Sequence, residues 1–524
     1  MELSIGRRHR VLCLLLASVC LVATGCALGM HSERVIVITA TFLPGIPESA
    51  ASATPSPFLQ GTPTLASRST LSPETIQQRS QPYVVQPGDT LTGIAERFAV
   101  PAEMIISENN LENPDLLAVG QILHMPNIPE VPGSAFHILP DNRLVRGPGS
   151  KTFGISAFVA GQPGYIRDAA EIVDGRFMTA DAIITRVALE YSVDPRLLLT
   201  LLEFKGSWLT SREISQDSID YPLGAPPSSA GFDRKGLYRQ LTWAADNLNR
   251  GYYGWQQSAV TRLQTTDVVG VTLPPMLNPG TVGVQYLLSL TADLETWRWQ
   301  VSSDGLYATY MRLFGDPFRE VVEPVVPLNL VQPDLVLPFP PGQVWYFTGG
   351  PHGGWGSGSA WAAVDFAPPD DLTNKATACY VSDYFATAAA AGVIARSSDG
   401  SVVLDLDGDG DEATGWTLLY LHIATADRIT EGAPARIGDV IGRASCEGGY
   451  STGTHLHIAR RYNGEWIPTM CPLCKPEYSR PPLVMGGWGF EGLPGQEYQG
   501  AMANGGQRRV AEQGRNIADN QISW

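Results

Sequence analysis

Histidine is scarce in this chain, with eight residues in 524. Any site built on imidazole therefore has few places to be. His9 and His31 lie in or beside the N-terminal leader, and His124 and His137 stand alone. The other four, His352, His422, His455 and His457, all fall in the last third. Basic charge is short too: 36 Lys and Arg stand against 52 Asp and Glu, a net charge of −16. That excludes nucleic acid or anionic lipid surfaces as a main partner. Cysteine is limited to seven residues. The apolar stretch from Val11 to Val22 is too short for a comfortable membrane span. Hydrophobic residues are not lacking, at 44%, so sizeable cores are expected, and the length implies two to four domains.

The stretch Ser451-Thr-Gly-Thr-His455-Leu-His457-Ile458 organises the rest. Residues two apart on a strand share a face, so His455 and His457 project into one site while Leu456 points into the layer behind. His422 sits in the apolar strand-like run Leu418-Leu-Tyr-Leu-His422-Ile423. His352 sits in the glycine-rich Gly349-Gly-Pro-His352-Gly-Gly, and Asp365 follows the apolar run Ala360–Val364. Four His and a strand-borne Asp within about a hundred residues fit a transition-metal site, zinc first.

These residues resemble the LytM/lysostaphin-type zinc metalloendopeptidases of peptidoglycan, over roughly residues 335–470. The closing motif reads GRASCEGGYSTGTHLHIA from Gly442, and Leu419-Tyr-Leu-His422-Ile and Gly432–Gly442 match further. The resemblance implies one zinc per chain, held by His352, Asp365 and His457. It implies His455 as the catalytic base and His422 as the oxyanion-stabilising group. One spacing differs from the family pattern of His-x-x-x-Asp. Trp361 stands four before Asp365, and the nearest upstream histidine is His352. The intervening Gly- and Ser-rich segment Gly353–Ala360 would have to loop out and return His352 to the metal.

The N-terminus reads as a targeting segment, residues 1–26. Arg7–Arg10 is a basic start, the apolar run follows, and Ala23-Thr-Gly-Cys26 resembles a bacterial lipobox in which Cys26 is lipidated. Export to the cell envelope follows, with a lipid anchor or signal peptide as the membrane contact. In an oxidising compartment the four remaining cysteines suggest disulfides. Cys379 precedes one strand of the peptidase region and Cys446 precedes the His-x-His strand, which favours a Cys379–Cys446 bridge and a small Cys471–Cys474 loop.

Residues 27–81 are rich in Ser, Thr, Pro and Ala and read as a disordered tether. Residues 82–127 resemble a LysM module, a βααβ fold, through VVQPGDTL, IAERF and VGQILHMP. By that resemblance it binds N-acetylglucosamine-containing glycan through Asp89, Thr90, Leu91, Asn109, Asn110 and Leu111. Asp89 or Thr90 caps its first helix. Residues 128–330 hold a mainly helical region, with helices over Ala182–Tyr191, a run from Pro195 to Glu203 capped by Asp194, Leu237–Asn249, Val282–Leu294 and Leu306–Phe314. YSVDPRLLLTLLEFKGSW resembles the catalytic-helix region of lysozyme-like lytic transglycosylases, which would make Glu203 a general acid. In the peptidase region (335–480), Asp405-x-Asp407-x-Asp409-x-Asp411 opens like a calcium loop. Its twelfth position is Trp416 rather than Glu, and flanking apolar runs suggest two strands joined by a polar hairpin. Residues 481–524 are Gly-rich and read as an extension with a mobile end.

The expectation is a multidomain α+β chain: LysM, a helical lysozyme-like middle and an antiparallel β peptidase. Its function would be zinc-dependent cleavage of peptidoglycan stems or cross-bridges. The alternatives are a non-catalytic amidase-activating regulator and a second, glycan-cleaving activity through Glu203.

Overall fold

A computed structural model describes residues 82–524 apart from 87–88, 99, 115, 127–128, 228–230, 374 and 515–517. The leader with Cys26 and the tether 27–81 lie outside the described residues. Among those described, no helix is long and apolar enough to cross a membrane.

The first module is βααβ. Pro82–Val84 pairs antiparallel with Ile122–His124. Helices Leu91–Phe98 and Ala102–Asn109 lie between them in sequence. Of the two candidate caps it is Thr90 whose hydroxyl accepts from Gly93 N, at 3.1 Å. Val85, Leu91, Ile94, Ile105 and Leu123 form its small core.

The middle region is helical as the 3.6-residue periodicity implies. Its helices include Ala180–Tyr191, Pro195–Gly206, Leu237–Gln256 and Leu306–Phe314. Asp194 caps the second, accepting from Arg196 N at 2.8 Å, with Pro195 in the first turn where no N–H is needed. The single helix expected over Val282–Leu294 is two, Pro279–Ser289 and Leu294–Gln300. Asp293 causes the break: its carboxylate accepts from Thr296 N at 2.8 Å and starts a new helix.

The last third is a nine-stranded sheet whose pairings are antiparallel. Its centre runs Ser401–Asp405, Trp416–Leu421, Leu456–Tyr462, Ala363–Ala367 and Trp345–His352. Alternation along these strands divides the side chains cleanly. Val364, Phe366, Leu418, Tyr420, Leu456 and Ile458 fill the core behind. Ala363, Leu419, Leu421, Ala459 and Trp466 join the same apolar cluster as the helices' Leu241, Leu248, Tyr252 and Tyr253. Moving each large side chain out of water contributes about 1.5–3 kcal/mol, so this face of the sheet is stabilised by the helices packed on it. Asp365 and His457 lie two residues from Ala363 and Ala459, on that same face.

The described residues after 480 form regular strands. Val484–Met485, Trp488–Leu493, Gln496–Asn504 and Gln507–Val510 form a four-stranded antiparallel meander, and Gln521–Ile522 adds to the large sheet beside Trp345–Tyr346. The expectation of mobility rested on glycine content. Here the glycines serve tight turns, such as Gly486 and Gly487 with φ of 56° and 80°.

Candidate metal centre

Strand register assembles the site. His457 and Asp365 are directly opposed on neighbouring strands, and Leu421, one residue before His422, faces His457 from the other side. The strand Trp345–His352 meets Asp365 at Gly349, not at His352. A β-carbon on Gly349 would stand 2.3 Å from Asp365 Oδ2, so only glycine leaves room for that carboxylate. Register shifts on both sides of Gly349 then swing His352 round to face Asp365. The segment after it loops out and returns, as the unusual spacing requires.

The hydrogen bonds fix which nitrogens carry protons. A carbonyl oxygen only accepts, so His352 Nδ1 donates to Gly350 O at 2.8 Å and His457 Nε2 donates to Gly354 O at 3.0 Å. With each ring neutral, as a metal ligand must be, its other nitrogen offers a lone pair. These two, His352 Nε2 and His457 Nδ1, lie 2.9 Å apart, and each is 3.3 Å from Asp365 Oδ1. That oxygen is buried without a hydrogen-bond donor. Three converging lone pairs within 4.8 Å of one another repel unless a cation sits among them. The set of two imidazoles and one carboxylate, with room for a fourth position, fits zinc. Burial alone would depress His352, but the Asp365 carboxylate outweighs it and holds His352 above its ordinary pKa. Burial holds His457 below its own. Asp365 lies well below the usual carboxylate range; its burial opposes this, and the surrounding imidazoles, His352 first, overcome it.

The two remaining histidines stand beside this set. His455 Nδ1 donates to Gly453 O at 2.7 Å, leaving Nε2 bare and 3.7 Å from Asp365 Oδ1. That tautomer suits a general base. The His422 ring lies 4.5 Å from that of His455, at a backbone φ of 63° that a non-glycine residue adopts only under constraint. His422 Nδ1 donates to Glu447 O at 3.1 Å. Burial, reinforced by the other histidines, pushes its pKa down to about 3. Its ring centre lies 6.2 Å from that of His457.

These groups open into a groove of about 1600 Å³ between the sheet face and the helices, bordered by Trp243, Asp246 and Tyr450. Two lining residues escaped the sequence. Tyr498 stacks on His352, with ring centres 4.2 Å apart and an interplanar angle of 24°, and Glu497 accepts from Gly353 N at 3.2 Å. Both come from the C-terminal meander. Tyr498 has a φ of 66°, a local strain that nothing in Gly495-Gln-Glu-Tyr-Gln-Gly500 announces.

Other candidates fall elsewhere. Glu203 is 5% exposed, and its carboxylate accepts from Leu209 N, Thr210 N, Thr210 Oγ1 and Arg312 Nη2 at 2.8–3.2 Å. A general acid needs a free O–H aimed at a substrate, whereas this carboxylate ties down the chain beyond its helix. In the LysM module, Leu91 is buried in the core. Asn109 spends both ends of its amide on Ile105 and His124, and Asp89 accepts from Tyr83 OH and Gln86 N. Leu111 packs against the core. Thr90 and Asn110 are exposed. Cys379 and Cys446 are bonded, with Cα atoms 5.6 Å apart, and Cys471 with Cys474. Asp405 spends its oxygens on Asp407 N and Gly410 N in a hairpin between two strands.

The antiparallel sheet and the His-x-His pair resemble those of LytM-type peptidases. Comparison with known proteins agrees. The model of the LasA N-terminal domain matches residues 137–326, and that of the LysM domain residues 83–126. Protease LasA of Pseudomonas aeruginosa is 26% identical over 349 residues, 63% of this chain and 74% of that protein. N-acetylmuramoyl-L-alanine amidase XlyA of Bacillus subtilis is 45% identical over 64 residues, 12% of this chain and 21% of its own. The solved structure of the M23 metalloprotease pseudoalterin aligns at 22% identity over 34% of this chain and 96% of that one, with a TM-score of 0.27. The chain resembles LytM-type peptidases and carries a LysM domain. The helical region matches LasA's N-terminal domain, and the lysozyme-like reading gains no support there.

Proposed function

We propose that this chain is an exported zinc metalloendopeptidase that cleaves peptide stems or cross-bridges of peptidoglycan. The observation that carries the reading is the trio of buried lone pairs on His352, His457 and Asp365, converging at the floor of an open groove. A zinc ion held by them would polarise the scissile carbonyl and activate a water. His455 Nε2, bare and beside the trio, takes the proton from the attacking water and passes it to the departing amine. His422, beside His455, is the group placed to stabilise the oxyanion. Gly353 and Gly449 line the groove and leave room for an extended peptide.

The LysM module supports a wall substrate, since tethering to glycan raises the local concentration of attached peptide. The names of two relatives, a protease and a muramoyl-alanine amidase, point the same way. The basic and apolar leader, ending in the lipobox-like Ala23–Cys26, supports export and anchoring at the outer face of the cytoplasmic membrane.

The test is incubation with purified sacculi. New free amino termini, abolished by a metal chelator, are expected. New anhydro-muramyl ends without amino termini would instead indicate glycan cleavage, and neither product would favour the non-catalytic regulator.

A further inference from the structure

The loop that carries His352 to the site is held from outside the sheet. We infer that Asp246, on the helix Leu237–Gln256 of the LasA-N-like region, is a positioning residue for the metal site and clamps this loop. The inference rests on the metal reading above. Asp246 Oδ1 accepts from Gly358 N at 2.8 Å and Oδ2 from Ser357 Oγ at 3.3 Å. Arg250, one turn on, donates to the same Ser357 Oγ at 2.7 Å. The fit is close enough to require glycine twice. A β-carbon at Gly358 would stand 1.8 Å from Asp246 O, and one at Gly356, whose φ is +71°, 2.4 Å from Asp246 Oδ1.

From this clamp a short relay reaches the ligands. Ser359 Oγ donates to Gly356 O and accepts from Trp355 N, which closes the loop on itself. Gly354, the next residue back, presents the carbonyl that accepts from His457 Nε2 at 3.0 Å. That contact keeps His457 Nδ1 bare and aimed at the metal position. Gly354 itself is pressed on Trp466, whose ring a β-carbon there would meet at 2.4 Å. At the loop's other end Gly353 follows His352 directly. One carboxylate on the helical region thus sets both the path of the first ligand and the tautomer of the third. The connection gives a reason for the long His352-to-Asp365 spacing: the insertion is the part the helix grips. Groups that orient metal ligands from outside the coordination sphere commonly change affinity 10–100-fold when removed.

The experiment is a Zn²⁺ titration of the full chain against a chelator of known affinity, with hydrogen exchange of the metal-free amides 353–359 as a second readout. Asp246→Ala should weaken Zn²⁺ at least about tenfold and speed that exchange. Asp246→Asn, which keeps an oxygen for Gly358 N, should recover most of the affinity. Asn247→Ala, on the same helix but with its side chain turned back to Trp243 O, should leave it unchanged. A folded Asp246→Ala protein with wild-type affinity and exchange would overturn the clamp. Should Asp246→Ala not fold, Gly358→Ala tests the contact from the loop side: loss of affinity is expected, and wild-type affinity would overturn the clamp. Wild type that binds no Zn²⁺ would instead sink the metal reading, and that outcome is separate from a failure at Asp246.

Discussion

Glu465 joins the sheet to the helices, and its removal should show that they unfold as one. The side chains of Glu465 and Arg480 are 1% and 2% exposed and 2.7 Å apart. Arg480 Nε also donates to Glu465 Oε1, at 3.1 Å. From the helical side, Tyr252 OH donates to Oε2 at 2.8 Å and Gln256 reaches Oε1 at 3.4 Å. Glu465→Ala leaves a buried guanidinium without its partner, which costs about 3–5 kcal/mol. It also leaves the Tyr252 hydroxyl unsatisfied, at about 1–3 kcal/mol. A total near about 5 kcal/mol is expected, since neighbouring losses do not simply add. Unfolding entropy is about 2 cal/mol/K per residue, so a cooperative body of several hundred residues has about 0.8 kcal/mol/K, and Tm should fall about 6 °C. Differential scanning calorimetry should show one transition moving as a whole. Two transitions with only one displaced, or a fall under about 1 °C, would refute the joint core.

Three further outcomes can be checked. Burial, with the charge of Glu323 adding to it, pushes the Asp141 carboxyl up to about 7. The folded chain therefore keeps a proton that the unfolded chain loses near pH 4, and stability should fall from there to pH 7 by at most about 4 kcal/mol. Asp141→Asn should flatten that slope in urea titrations at pH 5 and 7. Burial pulls Lys205 down to about 8, and its ammonium donates to the Thr291 hydroxyl at 3.1 Å. Its penalty is full below pH 8 and fades above, so Lys205→Met should stabilise the chain at pH 7 by up to about 3 kcal/mol and by little at pH 10.5. The Cys379–Cys446 bridge spans 67 residues. Replacing both by Ser should cost about 4 kcal/mol by loop entropy, measurable by calorimetry against the disulfide-bonded wild type.

Much of the site is written in local pattern. His455 and His457 share a face because strand periodicity is two, and Leu456 lies behind them for the same reason. Asp365 is readable because an apolar run leads straight into it. His352 is legible only by elimination, because its approach depends on register shifts around Gly349 and on a loop gripped by Asp246. No local pattern encodes either. Glu497 and Tyr498 were illegible for a related reason: a glycine-rich tail reads as mobile unless one knows that its strands pair. Glu203 misled in the opposite way. Its position at a helix end resembles a catalytic acid, but the partners that occupy it, Thr210 and Arg312, come from a following turn and a distant helix.

The most direct test of the whole account is the zinc content of the purified full chain beside His352→Ala and His457→Ala. Native mass spectrometry should find one zinc per wild-type chain and none in either variant, with folding intact. Zinc retained in His352→Ala would contradict the ligand set and the role given to its loop. Its absence from the wild type would contradict the metal centre itself.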